Sequence, residues 1–140
     1  MNVELRKVCK KDWDFILKLR NDKEHQTNFY NSHTISKKEH YDYLNKQKNN
    51  PNFSNWIICN DNNDVGYVRI LDNDISIFID KKYHNKGIGT LALNLVEQEA
   101  RKLGIKKLVG KVMLQNEKSK KIFLKNGYKT LMYWLEKDIS

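Results

Sequence analysis

The residues best placed to do chemistry fall in one stretch, Asp74-Ile-Ser-Ile-Phe-Ile-Asp-Lys-Lys-Tyr-His-Asn-Lys-Gly87-Ile-Gly89. An alternating strand there runs into two glycines that open a long helical pattern. The start of a helix carries N–H groups without intrahelical partners at the positive end of its dipole, so an anion can bind to main chain alone. Glycines at 87 and 89 let that anion come close to the backbone. The same pair also suits a tight strand-to-helix turn with no ligand, so the spacing is tested against named motifs. The Walker pattern fails, because no Gly-Lys-Ser/Thr follows at the required spacing. The dinucleotide fingerprint lacks its third glycine, and the next predicted strand ends in Gln115-Asn116 where a ribose-binding acid would stand. Cys9 and Cys59 have no CxxC spacing and no histidine at zinc-finger distance. Neither a metal site nor a disulfide framework is expected, and both cysteines are read as small core residues.

A site of this kind needs a scaffold, and 140 residues supply one domain, 1–140, with one core. Apolar residues make up 39% and charged residues 31%, with one proline and six glycines, which excludes collagen-like and low-complexity chains. No run approaches the length of a membrane span. The start, MNVELRKVCKKDW, lacks an apolar signal region, and a cytoplasmic location is expected. Val3 to Val8 reads as a strand and Lys11 to Arg20 as a helix with Trp13, Ile16, Leu17 and Arg20 on one stripe. Asn21 to Asn31 is polar and irregular. Ser36, with Glu39 three residues later, forms an N-cap signature for a second helix that ends near Pro51. Ser54 to Asn60, Val65 to Leu71 and Asp74 to Asp80 read as strands in two successive antiparallel hairpins, with Ile75, Ile77 and Ile79 on one face of the last. Ile88 to Leu103 is a helix stopped by Gly104. Ile105 to Leu114 reads as a buried strand, Glu117 to Asn126 as a helix closed by Gly127, and Tyr128 to Lys137 as a final strand. The order predicts an α+β domain with a mixed sheet.

The charge is +9 overall, and its position is informative. Lys81 to Lys129 holds 13 Lys and Arg against three acids, a net +10, while the rest holds 13 basic and 14 acidic residues, a net −1. Such a surplus fits a solvated lysine face, a polyphosphate ligand or RNA, and charge alone does not choose among them.

Two motifs in order carry a family resemblance. DISIFIDKKYHNKGIGTLALNLVEQEA resembles the acetyl-CoA motif of the GNAT N-acetyltransferases, whose pyrophosphate loop reads Arg/Gln-x-x-Gly-x-Gly/Ala and is here His84-Asn85-Lys86-Gly87-Ile88-Gly89. Asn116-Glu-Lys-Ser119-Lys-Lys-Ile-Phe123-Leu-Lys-Asn-Gly127-Tyr128 resembles the family's Asn-x-x-Ala-x-x-x-Tyr-x-x-x-Gly-Phe. The likeness spans nearly the whole chain. It implies a sheet of six or so strands, mostly antiparallel, flanked by about four helices and splayed at the cofactor site. Leu19-Arg20-Asn21-Asp22, His33-Thr-Ile35 and Glu39-His40 are similar to enzymes that acetylate amino sugars on nucleotide carriers, and more loosely to ribosomal-protein acetyltransferases.

The resemblance also implies roles. Acetyl-CoA would be the co-substrate, with no metal, and a primary amine would attack its thioester directly in a ternary complex. Main-chain groups of Phe78 and Ile79 would hold the pantetheine arm. The loop from His84 to Gly89 with Thr90 would hold the pyrophosphate, helped by Lys82, Lys86, Lys118 and Lys121. Asn116 would bond the pantetheine amides, or cap its helix, with Ser119 and Phe123 beside the cofactor. Asp74 stands where the family places a carboxylate base, though a turn aspartate reads the same. The family's acid tyrosine is replaced by Phe123, which has no proton to give. Tyr128, Tyr133, Tyr83 or water would take its place. Arg20, Asn21 and His40 are candidate acceptor contacts, while capping or burial would serve them equally. The expected acceptor is an amino sugar on a nucleotide. The alternatives are a protein amine, or a basic module that binds CoA or RNA without turnover. No nucleic-acid partner or membrane is expected, and the chain would be a monomer or homodimer.

Overall fold

The computed structural model describes residues 1–22 and 33–140. Alternating apolar residues build its sheet from β1 (Val3–Lys7), β2 (Phe53–Asn60), β3 (Asn63–Leu71), β4 (Asp74–Ile79) and the short β5 (Val109–Gly110), in that spatial order. The first four pair antiparallel, and β5 joins β4 in parallel. Both hairpin turns contain residues with positive φ, Asp61 and Asn62 in one and Asp72 in the other. Asp and Asn tolerate that conformation, which explains the Asp/Asn-rich sequence between strands.

Four α-helices are present among the described residues: α1 (Trp13–Asn21), α2 (Lys37–Gln47), α3 (Ile88–Lys102) and α4 (Glu117–Lys125). Ser36 caps α2 as its sequence predicts, its Oγ accepting from the Glu39 N–H at 3.1 Å. The two faces of the sheet are covered separately. On one, Trp13, Ile16 and Leu19 of α1 and Leu44 of α2 pack against Ile57 and Tyr67. On the other, Ile88, Ala92, Leu93, Val96 and Ala100 of α3 and Phe123 of α4 pack against Ile58, Val68, Ile70, Ile75 and Ile79. Burial of each large aliphatic side chain there contributes about 1.5–3 kcal/mol. Ile75, Ile77 and Ile79 share the α3 face, as the alternation predicts, and Phe78 faces the α1 side.

Three expectations are corrected. The strand predicted over Ile105 to Leu114 is reduced to Val109 and Gly110, because β4 accompanies it for only two positions. The final strand predicted over Tyr128 to Lys137 is absent, so the sheet has five strands among the described residues where six or so were expected. A strand exists only where an edge pairs with it, and Leu131 to Leu135 are exposed in this chain. Cys9 is exposed, not a core residue, and Cys59 is half-buried. Their thiols lie 3.3 Å from Asp12 and 3.5 Å from Asp64, the two carboxylates that Arg6 bridges. The polar stretch Asn21 to Asn31 falls largely on residues 23–32, outside the described residues.

Candidate active site

The site begins where two parallel strands part. β4 and β5 are paired at Asp74 with Val109 and at Ile75 with Gly110, and nowhere beyond. From Ser76 to Ile79 the outer edge of β4 is therefore not covered by β5, and the Ile79 carbonyl accepts from His84 Nε2. Such an edge suits an extended ligand with amide groups of its own. Phe78 and Ile79, the predicted pantetheine contacts, lie on this stretch.

Past its end the chain turns onto α3. Asn85 has φ +62° and Gly87 φ +80°, so the turn is made in the left-handed region, where a β-carbon is costly. Gly87 is the N-cap of α3 and has no side chain with which to cap it. The first N–H groups of a 15-residue helix are thus left for an outside acceptor. A β-carbon built on Gly87 would meet nothing within 4 Å, so there is room in front of those groups. The cradle fits a diphosphate in shape and polarity.

Gly89 has a different role. A β-carbon there would lie 2.6 Å from Ile122 Cδ1, so its lack of a side chain lets α4 pack on α3. Ile88 is buried in the core, and the Thr90 carbonyl accepts from Asn126 Nδ2 at 3.3 Å, a second tie between the helices. His84 closes the loop from below. Its Nε2 donates to the Ile79 carbonyl at 2.7 Å, leaving Nδ1 to accept from Lys118 Nζ at 3.3 Å. The residue that departs from the expected Arg or Gln thus links the end of β4 to the start of α4. Lys86 lies exposed, its ammonium 5.7 Å from the Tyr83 ring centroid.

At the apex, Phe123 is buried with its ring against Gly110, where even a β-carbon would come within 2.5 Å of Cε1. Phe123 and Tyr128 meet edge-to-face at 4.8 Å between centroids. The Tyr128 hydroxyl is buried and has no hydrogen-bond partner among the described residues. Burial, with a smaller contribution from Glu97, pushes its pKa up to about 12. Tyr133 is exposed in the C-terminal segment and does not join this cluster. Asn116 caps α4, its Oδ1 accepting from the Ser119 N–H at 3.1 Å.

Asp74 begins β4 on the face turned toward α1. Its Oδ2 and its carbonyl both accept from Arg69 Nη1, at 3.1 and 2.8 Å. Oδ1 is buried without a hydrogen bond among the described residues, with Lys111 Nζ 4.0 Å away. The sequence reading missed Arg69, although the hairpin register contains the signal. Leu71 opposite Asp74 puts Arg69 opposite Ser76, diagonal to the carboxylate.

Two of the three predicted acceptor contacts, Asn21 and His40, make hydrogen bonds within the fold. Asn21 uses both ends of its amide on Ile35, accepting from its N–H at 2.9 Å and donating to its carbonyl at 2.8 Å. His40 is buried and its Nε2 lies 2.8 Å from the Trp13 carbonyl, tying α2 to α1; burial lowers its pKa. Arg20 is half-buried at the end of α1, and desolvation lowers its pKa.

The sequence matches the model of the acetyltransferase (GNAT) domain over residues 2–129. Among solved structures, a domain from Methanocaldococcus jannaschii superposes with a TM-score of 0.83 at 24% identity, covering 93% of this chain and 90% of that one. A spermidine N-acetyltransferase from Vibrio cholerae in complex with CoA and spermine gives 0.80 at 19% identity, covering 89% and 79%. A putative acetyltransferase from Salmonella typhimurium with acetyl-CoA gives 0.74 at 18% identity, covering 91% and 79%. At these identities the likeness is one of fold.

Proposed function

The chain belongs to the acetyltransferase (GNAT) domain family, and on that premise we propose that it transfers the acetyl group of acetyl-CoA to a primary amine of an anionic small molecule, with an amino sugar on a nucleotide as the favoured acceptor. The observation that carries the CoA assignment is the parting of β4 from β5 after Ile75, followed by the uncapped start of α3 at Gly87. An amide-bearing arm and a diphosphate occur in that order in CoA.

The amine attacks the thioester carbonyl, a C–N bond forms, the C–S bond breaks, and the amine's proton must leave. Asp74 Oδ1 has open lone pairs and serves as proton acceptor, directly or through water, while Arg69 holds Oδ2 and fixes the carboxylate's rotation. The departing thiolate needs a donor, which Phe123 cannot supply. Tyr128, packed against that ring, supplies it as a hydrogen bond. Full proton transfer from a phenol with a pKa of about 12 to a thiolate near 8.5 would be uphill by about 5 kcal/mol, so water finally protonates the sulfur. A fixed donor at the developing charge still contributes to rate.

Charge favours the anionic acceptor. A net +9 protein repels polyamines and basic peptides and attracts a nucleotide-borne substrate. Thiol release measured over nucleotide-linked amino sugars, free amino sugars, spermidine and basic peptides tests this. We expect the highest kcat/KM with the nucleotide-linked amines, falling with added salt. Spermidine or a basic peptide turned over as well or better would overturn the acceptor assignment.

A further inference from the structure

A cavity of about 340 Å³ lies where β1 ends and β2 begins, between the first turn of α1 and the last turn of α2. None of the residues given a part in acetyl transfer lines it. Its size is within the usual range of small-molecule sites, about 300–1,000 Å³. Trp13, Leu44 and Phe53 give it an apolar floor, the first two buried among the side chains that α1 and α2 lay on the sheet. Lys10 and Lys48 stand above that floor. Their ammonium groups are 5.8 and 5.2 Å from the Trp13 ring centroid, one arriving from the turn before α1 and the other from the residue that ends α2. Two amides complete the wall, each oriented by a bond of its own. Gln47 Oε1 accepts from Asn50 Nδ2 at 2.9 Å, and Asn55 Nδ2 donates to the Tyr67 hydroxyl at 3.1 Å.

The charge of this wall is one-sided, since two lysines line the cavity and no acid does. Among the described residues neither ammonium is in an ion pair, while the carboxylates nearest in sequence are engaged elsewhere, Asp12 by Arg6 and Asp14 by Lys37 and Tyr41. Two like charges drawn to one ring repel each other, and an anion between them replaces that repulsion with attraction. A bare inorganic anion would leave the apolar floor in water, so the occupant needs a flat body as well as a charge. We propose that this cavity is a second small-molecule site, which takes an aromatic ring bearing a phosphate or carboxylate. The ring lies against Phe53 and Trp13, the anion meets Lys10 and Lys48, and the ring's polar edge meets Gln47 and Asn55. The site is distinct from the CoA cradle. Phe53 is in register with Asp74 through Leu71, so the cavity is at the end of the sheet where β4 starts, on the α1 face, whereas Gly87 follows the other end of β4 and α3 covers the other face. Asn55 pairs with Arg69, the residue that holds Asp74, which brings an occupant within two strands of the proposed proton acceptor.

Titration calorimetry on the full chain, with CoA present at saturation, tests this. One arm uses adenosine and uridine monophosphates, the other salicylate, and adenosine, uridine and phenol are the uncharged controls. We expect saturable binding of one probe per chain in at least one arm, the tighter arm identifying the anionic group, and an affinity at least tenfold lower for the uncharged counterpart. Lys10→Met combined with Lys48→Met keeps the length of two exposed side chains and removes their charge. That variant should bind the probe at least tenfold more weakly, with its CoA affinity and its unfolding transition unchanged. No saturable binding at millimolar concentrations in either arm would overturn the proposal, as would equal affinity in the double variant or binding seen only when CoA is left out.

Discussion

At the scale of single residues, the proposed mechanism gives Tyr128 the donor's part for which Phe123 has no proton. Phe123 fills the space over Gly110, and Tyr128 keeps a hydroxyl beside it with no hydrogen-bond partner among the described residues. Tyr128→Phe therefore separates function from folding. Removing a buried, unsatisfied hydroxyl leaves stability unchanged or raises it, whereas kcat should fall by about 10²-fold if the hydroxyl faces the departing sulfur. Thermal unfolding and steady-state kinetics on the same preparation check both, and an unaltered kcat would remove Tyr128 from the mechanism. The two glycines of the loop also part company. Gly87 is required by its φ of +80°, and Gly89 by the approach of Ile122, so only substitution at 87 tests ligand binding without disturbing helix packing.

Among the elements, those with local signals were legible in the sequence. The period of α3, the Ser36 cap of α2, and the Asp/Asn turns of both hairpins each follow from nearby residues, and each forms where predicted. The loop from His84 to Gly89 was legible too, since a strand, a glycine and a helix start are local features. What failed depended on distant partners. The apolar and aromatic residues of Tyr128 to Lys137 are a strand signal, but pairing decides whether a strand forms, and sequence does not say which edge is free. The hydrogen bonds of the acceptor candidates were unreadable for a related reason. Asn21 and His40 are polar side chains whose partners, the Ile35 main chain and the Trp13 carbonyl, are invisible until α1 and α2 are placed. Arg69 lay one step beyond, in the register of a hairpin whose existence was predicted but whose diagonals were not read.

Taken whole, the molecule is held at its β1 edge by a charge network that makes stability depend on pH. Arg6 donates to both Asp12 oxygens at 2.8 Å and to Asp64 at 2.9 Å, and this hydrogen bonding lowers the pKa of the buried Asp12 from 3.8 to about 2. A pKa depressed by folding gives stability above the unfolded value that is lost as pH falls, here between about 4 and 2, and it amounts to about 2 kcal/mol. His40, whose pKa folding also lowers, adds loss as pH drops below its ordinary value of 6.5. Asp12→Asn should lower stability at neutral pH and flatten the dependence below pH 4 in urea titrations; a parallel curve would refute the role of the pair. The central claim is that main-chain groups at the edge of β4 and the start of α3 hold CoA. Titration calorimetry with CoA, on the wild-type chain and on Gly87→Val, tests it most directly. We expect saturable binding of one CoA per chain, weakened at least tenfold in a variant that still unfolds cooperatively. Absence of saturable binding to the wild type, or equal affinity in the variant, would contradict it.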